Sequence, residues 1–214
     1  DQMLLGGMLK CAEFGYRMII ELVDTHSDHV ERELNTALLA LQPDGIILTP
    51  PHSENPQITG LLEERGVPFA RIGVRDDEGN LSLVMDDEGA ARLATQHLID
   101  LGHRRIGFIA GSGEYQLSSW REKGWREALA QAGIPSDGLS AGGDFSYDSG
   151  FAAAEKLLVR DPRPTAILAS NDQMAMAAMD VAAERGLAVP FDLSVVTFDN
   201  TPMTIFSQPP MTAV

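Results

Sequence analysis

The residues of this chain whose types and spacing could do chemistry stand just past short apolar runs that read as strands. Tyr115 and Arg121 follow Ile106–Ala110, Asn171-Asp172 follows Ala166–Ala169, and Asp199-Asn200 follows Ser194–Phe198. Phe145 lies at a further such turn, in Gly143-Asp144-Phe145-Ser146. In open α/β sheets ligands bind at the carboxyl ends of the strands, where helix N-termini converge. A guanidinium fork, a carboxylate, an amide that both donates and accepts, and an aromatic face form the set a polyhydroxylated molecule requires. Its hydroxyls donate to Asp199 and accept from Arg121 and Asn171, and the apolar face of its ring lies on the aromatic plate. Each residue also has a plainer role: Asn171 as a helix cap, Asp199 as a turn residue, Arg121 as half of a surface ion pair, Phe145 as core. Placement on one sheet edge favours binding. Arg121, read into the first turn of its helix, is a cation that opposes the helix dipole and so is not there for helix stability.

No catalytic set accompanies them. Gly111-Ser112-Gly113 follows a strand, but Gln116 stands at the third glycine of a dinucleotide fingerprint, and no phosphate-loop Lys-Ser/Thr follows. Neither a Gly-x-Ser-x-Gly elbow nor a His-Glu-x-x-His pair occurs. His26 and His29 flank Ser27-Asp28 with no third ligand nearby and read as surface residues, as does His52 after Pro50-Pro51. Cys11 reads as a small apolar packer. An enzyme acting on sugars or nucleosides could use Asp86-Asp87 and Asp199 as acid and base, but Asp87 reads as a cap and no nucleophile or metal set joins it. No cofactor and no metal are expected.

The elements that must position these side chains alternate. Met18–Val23, Gly45–Leu48, Phe69–Ile72, Leu81–Met85, Ile106–Ala110, Ala166–Ala169, Ser194–Phe198 and the final Met211–Val214 read as strands. They are near-continuous apolar runs, the pattern of parallel strands covered on both faces. Between them lie helical stripes: Val30, Leu34, Ala37, Leu38, Leu41; Ala91, Ala94, Leu98, Leu101; Phe151, Ala154, Leu157, Leu158; and Ala175, Ala178, Met179, Ala182. Asp28, Asp87 and Asn171 are placed as N-caps, Gly102 and Gly186 as C′ residues, and Ser119 to Glu122 has the spacing of a capping box. Repeated βα units imply right-handed crossovers and an α/β fold. Pattern alone leaves open one sheet or two, with Arg75–Leu81 as a candidate boundary.

Composition agrees. Of 214 residues 44% are hydrophobic and 22% charged, ordinary globular values, and the net charge of −15 does not draw the chain to nucleic acid or an anionic membrane. No apolar run approaches the roughly 18–20 residues of a membrane span. One cysteine excludes an internal disulfide. The chain opens on a helix-like pattern and stops on a strand-like one, so both ends read as cut from something longer.

Several blocks resemble one family. Asp100-Leu101-Gly102-His103-Arg104-Arg105-Ile106-Gly107-Phe108-Ile109-Ala110-Gly111, Arg121-Glu122-Lys123-Gly124-Trp125, Ala169-Ser170-Asn171-Asp172-Gln173-Met174-Ala175, Ser194-Val195-Val196-Thr197-Phe198-Asp199-Asn200 and Gln208-Pro209-Pro210-Met211-Thr212-Ala213-Val214 are similar to segments of the lac and galactose repressor family. Gly15-Tyr16, Asp44 to Leu48 and Gly66-Val67-Pro68 fall in family order. The resemblance implies a periplasmic-binding-protein-like core of two hinged Rossmann-like subdomains with the effector between them: residues 1–85 plus 209–214, and residues 86–208. It implies that Arg121, Asn171 and Asp199 contact effector, with Phe145 as aromatic wall, Tyr115 as a loop contact and Asp1 reaching the pocket from the other subdomain.

Two departures stand out. Asp1 replaces an aromatic residue of many members, and Gly73 supplies no carboxylate where some sugar-sensing relatives have one. The family's helix-turn-helix, hinge helix and last helices are absent from the sequence. The implied function is the effector-sensing and dimerisation core of a cytoplasmic bacterial transcriptional regulator. Its effector is a small molecule, a sugar or sugar derivative; DNA is met only through the absent helix-turn-helix, and the partner is a second copy. The alternative is a periplasmic sugar-binding protein of a transporter.

Overall fold

The structure, a computed structural model, describes residues 2–25, 27–75 and 81–214. Asp1, His26 and most of the Arg75–Leu81 boundary lie outside the described residues. The chain divides into two compact units, 1–70 and 71–214.

The first unit carries α1 (Gln2–Glu13), α2 (Val30–Leu41), β1 (Ile46–Leu48), a 3-10 turn (His52–Glu54), α3 (Pro56–Arg65) and most of β2 (Phe69–Ile72). Its core is small: Val30 and Leu34 of α2, Leu48 of β1, and Ile58 and Leu62 of α3. β1 lies beside β2, with Ile46 N–H donating to the Pro68 carbonyl at 2.9 Å. The unit boundary falls inside β2, the middle strand of a sheet ordered β1-β2-β3, with β3 at Leu81–Leu83. Met18–Val23, expected as a strand, forms no ladder: a strand needs another strand beside it, and this run pairs with none among the described residues, its Val23 carbonyl meeting the His52 ring at 2.6 Å instead.

In the second unit the α/β alternation is complete. After β3 come α4 (Asp87–Asp100), β4 (Ile106–Ala110), α5 (Gln116–Gln131), β5 (Ser140–Gly142), α6 (Tyr147–Leu158), β6 (Ala166–Ala169), α7 (Asp172–Glu184), β7 (Ser194–Thr197), α8 (Pro202–Phe206) and β8 (Thr212–Ala213). The five strands from β4 to β8 form one parallel sheet in the order β5-β4-β6-β7-β8. Helices α4 and α5 bury Ala91, Leu98, Trp125, Ala128 and Leu129 with Ile106, Phe108 and Leu168. Helices α6 and α7 bury Ala153, Leu157, Ala178 and Ala182 with Ile109, Ile167 and Val195. Successive residues of β4 and β6 thus serve opposite cores, which is why those strands read as unbroken apolar runs. Gly124 lets α5 approach α4, since a Cβ there would stand 2.1 Å from the Glu88 carbonyl oxygen.

At the amino ends of the strands, His103 ring nitrogens contact the Thr165 hydroxyl at 2.8 Å and the Ser194 hydroxyl at 3.1 Å, and burial pushes the imidazole pKa down.

The final strand β8 pairs with β7, Thr212 beside Val196 and Ala213 beside Thr197. Several boundaries differ from expectation. Helix α5 begins at Gln116, so Ser119 is not a cap but bonds back to the Gln116 carbonyl, and Arg121 lies in the second turn. Helix α4 is capped by Asp86, which accepts from Gly89 N–H at 3.0 Å, leaving Asp87 free to turn inward. Asp28 caps nothing, because α2 starts at Val30 with His29 at the N-cap position. Helix α3 and strand β5 were not anticipated, although Asn55-Pro56 and Gly66 supply a cap, a first-turn proline and a left-handed C-cap for α3. Asn171, Gly102 and Gly186 punctuate their helices as expected.

Candidate ligand-binding site

Arg121 leans from α5 toward the carboxyl ends of β6 and β7. Its Nε donates to Asp87 Oδ1 at 2.8 Å, its Nη1 donates to the Ser170 carbonyl, and its guanidinium carbon lies 4.3 Å from the Phe198 ring centroid. Both members of the ion pair are buried, at 6% and 3% exposure. The surface ion pair that was the plainer reading of Arg121 is therefore an interior one, with a partner the sequence placed at a cap. A buried pair contributes little net stability, but it orients a guanidinium firmly. Nη2 has no partner among the described residues.

Asn171 caps α7, its Oδ1 accepting from Met174 N–H at 2.9 Å, while its Nδ2 donates to the Phe145 carbonyl at 2.8 Å. One N–H and one lone pair of the amide remain. Phe145 sits at φ 72, a conformation that an aromatic residue adopts only when its surroundings impose it. Those surroundings are visible. Asp144 Oδ1 accepts from Ser146 N–H at 2.9 Å, and Asp144 N–H donates to Ser149 Oγ at 2.9 Å. Hydrogen bonds from Ser146, then Ser149, pull the Asp144 carboxyl down to about 2. The Phe145 ring meets Tyr115 edge-on at 5.4 Å between centroids. Its tip fills the space left at Gly111, beside the buried Ser118 hydroxyl.

Asp199 and Asn200 are also left-handed, at φ 84 and 49. Asp172 holds that turn: its carboxylate accepts from Thr197 Oγ1 at 3.0 Å, Thr201 N–H at 2.8 Å and Thr201 Oγ1 at 2.6 Å. Asp199 is open to solvent on one side, yet the protein around it removes enough water to push its carboxyl above the ordinary value. Arg121 opposes that rise, and Asp172 and Asp87 add to it. The Asp199 carboxylate has no hydrogen-bond partner among the described residues.

Five of the six residues singled out in the sequence thus lie on one sheet edge. Arg121, Asn171, Phe145 and Tyr115 are linked by direct contacts through Ser170, and Asp199 follows the Phe198 ring on which Arg121 lies; Asp1 is outside the described residues. Asp87 and Asp172 were missed as positioning groups. Their signal was an Asp pair, or Asn-Asp, at a strand-to-helix junction, where one residue caps and the next points inward. The edge offers donors on Arg121 and Asn171, acceptors on Asp199 and Asn171, and two aromatic faces. Among the described residues no group of three metal-ligand side chains is assembled. Two cavities lie elsewhere, one beside Glu21, Leu22 and α2, the other between His97, Met179, Val195 and Met211; neither includes a residue singled out for binding.

Comparison with known proteins identifies the lineage. Residues 95–214 match the periplasmic binding protein-like domain family. The HTH-type transcriptional regulator CelR of Thermobifida fusca is 36% identical over 99% of this chain and 62% of its own length. Catabolite control protein A of Priestia megaterium is 36% identical over 94% and 61%. The ribose operon repressor of Escherichia coli K12 is 30% identical over 100% and 65%. This chain therefore spans just over three-fifths of the length of these relatives. Among solved structures, the complex of the transcriptional regulator CelR with cellobiose superposes with a TM-score of 0.88 at 35% identity, covering 98% of this chain and 64% of that one. A LacI-family regulatory protein from Chloroflexus aggregans also reaches 0.88, at 28% identity over 100% and 76%. With a domain match over more than half its length and relatives of this kind along all of it, the chain belongs to the lac and galactose repressor (LacI) family, built on the periplasmic-binding-protein-like domain.

Proposed function

We propose that this chain is the effector-binding and dimerisation core of a bacterial transcriptional regulator, and that its effector is a sugar or sugar derivative held without chemical change. The observation that carries this reading is the convergence of Arg121, Asn171, Asp199, Phe145 and Tyr115 on the carboxyl edge of one parallel sheet, each aimed by a buried or strained neighbour. The named relatives support it: one is solved with cellobiose and another is a ribose operon repressor. The periplasmic transport alternative is disfavoured by the same relatives, which are regulators. An enzymatic role is disfavoured by the engagement of two of its three candidate carboxylates: Asp86 caps a helix and Asp87 pairs with Arg121, which leaves Asp199 without a second acid or base.

A ligand of this kind acts by binding one conformation of the protein better than another, and it shifts the balance only by that difference. DNA contact belongs to a helix-turn-helix segment outside this chain; a net charge of −15 leaves phosphate binding to such a basic module. No helix among the described residues is long and apolar enough to cross a membrane, and the site of action in this reading is the cytoplasm. The test is a thermal-shift screen of cellobiose, ribose, nucleosides and amino acids, since a bound ligand raises apparent stability. A rise with a sugar supports the reading; a rise with nucleosides or amino acids alone removes its carbohydrate part.

A further inference from the structure

Charged side chains of the second unit divide by end. Toward the carboxyl edge and along α4 and α5, Arg75, Arg92, Arg121, Lys123 and Arg126 each pair with a carboxylate. Arg104, Arg105, Arg160 and Arg163 stand at the opposite end, in the loops that enter β4 and β6, and pair with none among the described residues. Backbone carbonyls hold three of them instead. Arg104 Nη1 donates to the carbonyls of Ile99 at 3.1 Å and His103 at 2.9 Å, Arg105 Nη2 to that of Pro162, and Arg163 Nη1 to that of Asp192 at 2.9 Å. A neutral carbonyl orients a guanidinium without cancelling its charge. Asp100, Asp161 and Asp192 lie among these cations, so this end is close to charge balance while the whole chain carries −15.

An apolar centre lies inside the charged rim. Phe191 is 90% exposed on a loop pinned at three points: Asp192 N–H donates to the Ala188 carbonyl at 2.6 Å, Asp192 Oδ2 accepts from Ala188 N–H at 2.9 Å, and Arg163 grips the Asp192 carbonyl. Beside it opens a hollow of about 190 Å³, walled by Leu101, Met179, Pro190, Val195 and Met211, with room for a phenyl ring. Phe191 does not enter the hollow of its own chain. A ring beside a hollow on a face of mixed charge is self-complementary: a twofold axis between them sends each ring into the other copy's hollow and sets cations opposite carboxylates. We propose that this amino-end face docks a second copy of this chain, with Phe191 of each seated in the hollow of the other. A nucleic acid would meet carboxylates among the cations, and a small apolar ligand would leave Phe191 bare. A second copy satisfies ring, hollow and both signs of charge together, and two bodies of −15 repel least where charge is balanced. Arg121 and Asp199 lie at the other end of the sheet, so the candidate ligand site stays open.

The experiment is sedimentation equilibrium of the chain over a concentration series, with Phe191→Asp and Leu101→Lys. Both positions are exposed, so circular dichroism stays that of the wild type; Leu101 is 63% exposed at the C-cap of α4, where a lysine suits the helix dipole. Each variant alone raises the midpoint concentration of association about tenfold or more, the consequence of removing an aromatic anchor or charging its seat. Equimolar mixing of the two variants restores association, because the mixed pair joins an intact ring to an intact hollow on one side and a carboxylate to an ammonium on the other. Association through any other face is the same in all of these samples. A midpoint unmoved by Phe191→Asp overturns the proposal, since the face is then bare or covered by something else. A mixture that fails to recover also overturns it, since the contact is then not reciprocal.

Discussion

Removing the Asp87 carboxylate would leave the Arg121 guanidinium buried without its counter-charge, a change that costs about 3–5 kcal/mol in comparable pairs. Asp87→Ala should therefore lower the urea midpoint sharply. A midpoint equal to wild type would show that the pair is not buried in solution. The same logic governs how effector binding is probed. Arg121→Ala strands Asp87 as well as deleting the fork, so the cleaner variant is Arg121→Lys, which keeps the charge but offers one nitrogen in place of three. Loss of a charged hydrogen-bond partner is worth about 1.5–3 kcal/mol, so calorimetry should show effector affinity falling roughly tenfold or more. Unchanged affinity removes Arg121 from the ligand. Asp199 makes a prediction of unusual sign. Its folded pKa is raised, so the folded state holds its proton to higher pH than the unfolded state does. Stability must fall as pH rises from the ordinary Asp range through that raised value, and Asp199→Asn should flatten this limb of the stability profile. At this scale Asn171 was legible because one residue type serves both as cap and as amide contact. Asp87 and Asp172 were not, because adjacent polar residues at a helix start announce the helix and not which of them faces inward.

Helices α4 and α5 are held at a distance that only a residue without a side chain permits at position 124. Gly124→Ala would drive its Cβ into the Glu88 carbonyl, 2.1 Å away, and the helices must separate or bend. Overpacking of this kind costs about 1–3 kcal/mol, measurable as a lower denaturation midpoint with an unchanged slope. A neutral effect would mean the interface relaxes freely. Elements buried on both faces, β4, β6 and β7, declared themselves through continuous apolar runs, and α7 through its stripe and cap. Strand β5, Ser140–Gly142, escaped notice because its residues are small and only its neighbour β4 makes it a strand. The start of α5 was misplaced because Tyr115 offers no side-chain cap, while Ser119 further on resembled one. Met18–Val23 shows the converse: strand-like residues with no partner strand among the described residues make no strand.

Across the whole molecule, order should be uneven. The core of the first unit is a handful of side chains, and no residue of α1 is buried. The second unit packs two cores against one sheet. Amide hydrogen exchange should then be fastest in α1 and slowest in β4, β6 and β7. Equal protection in α1 and β6 would contradict this ranking. Asn171 grasps Phe145 by its backbone oxygen and not by its ring. The hydrogen bond itself thus does not depend on the ring, while the left-handed backbone and the space at Gly111 limit what can project from position 145. A smaller unbranched side chain at position 145 would therefore reshape the wall that a visitor meets while the joint beneath it stays locked.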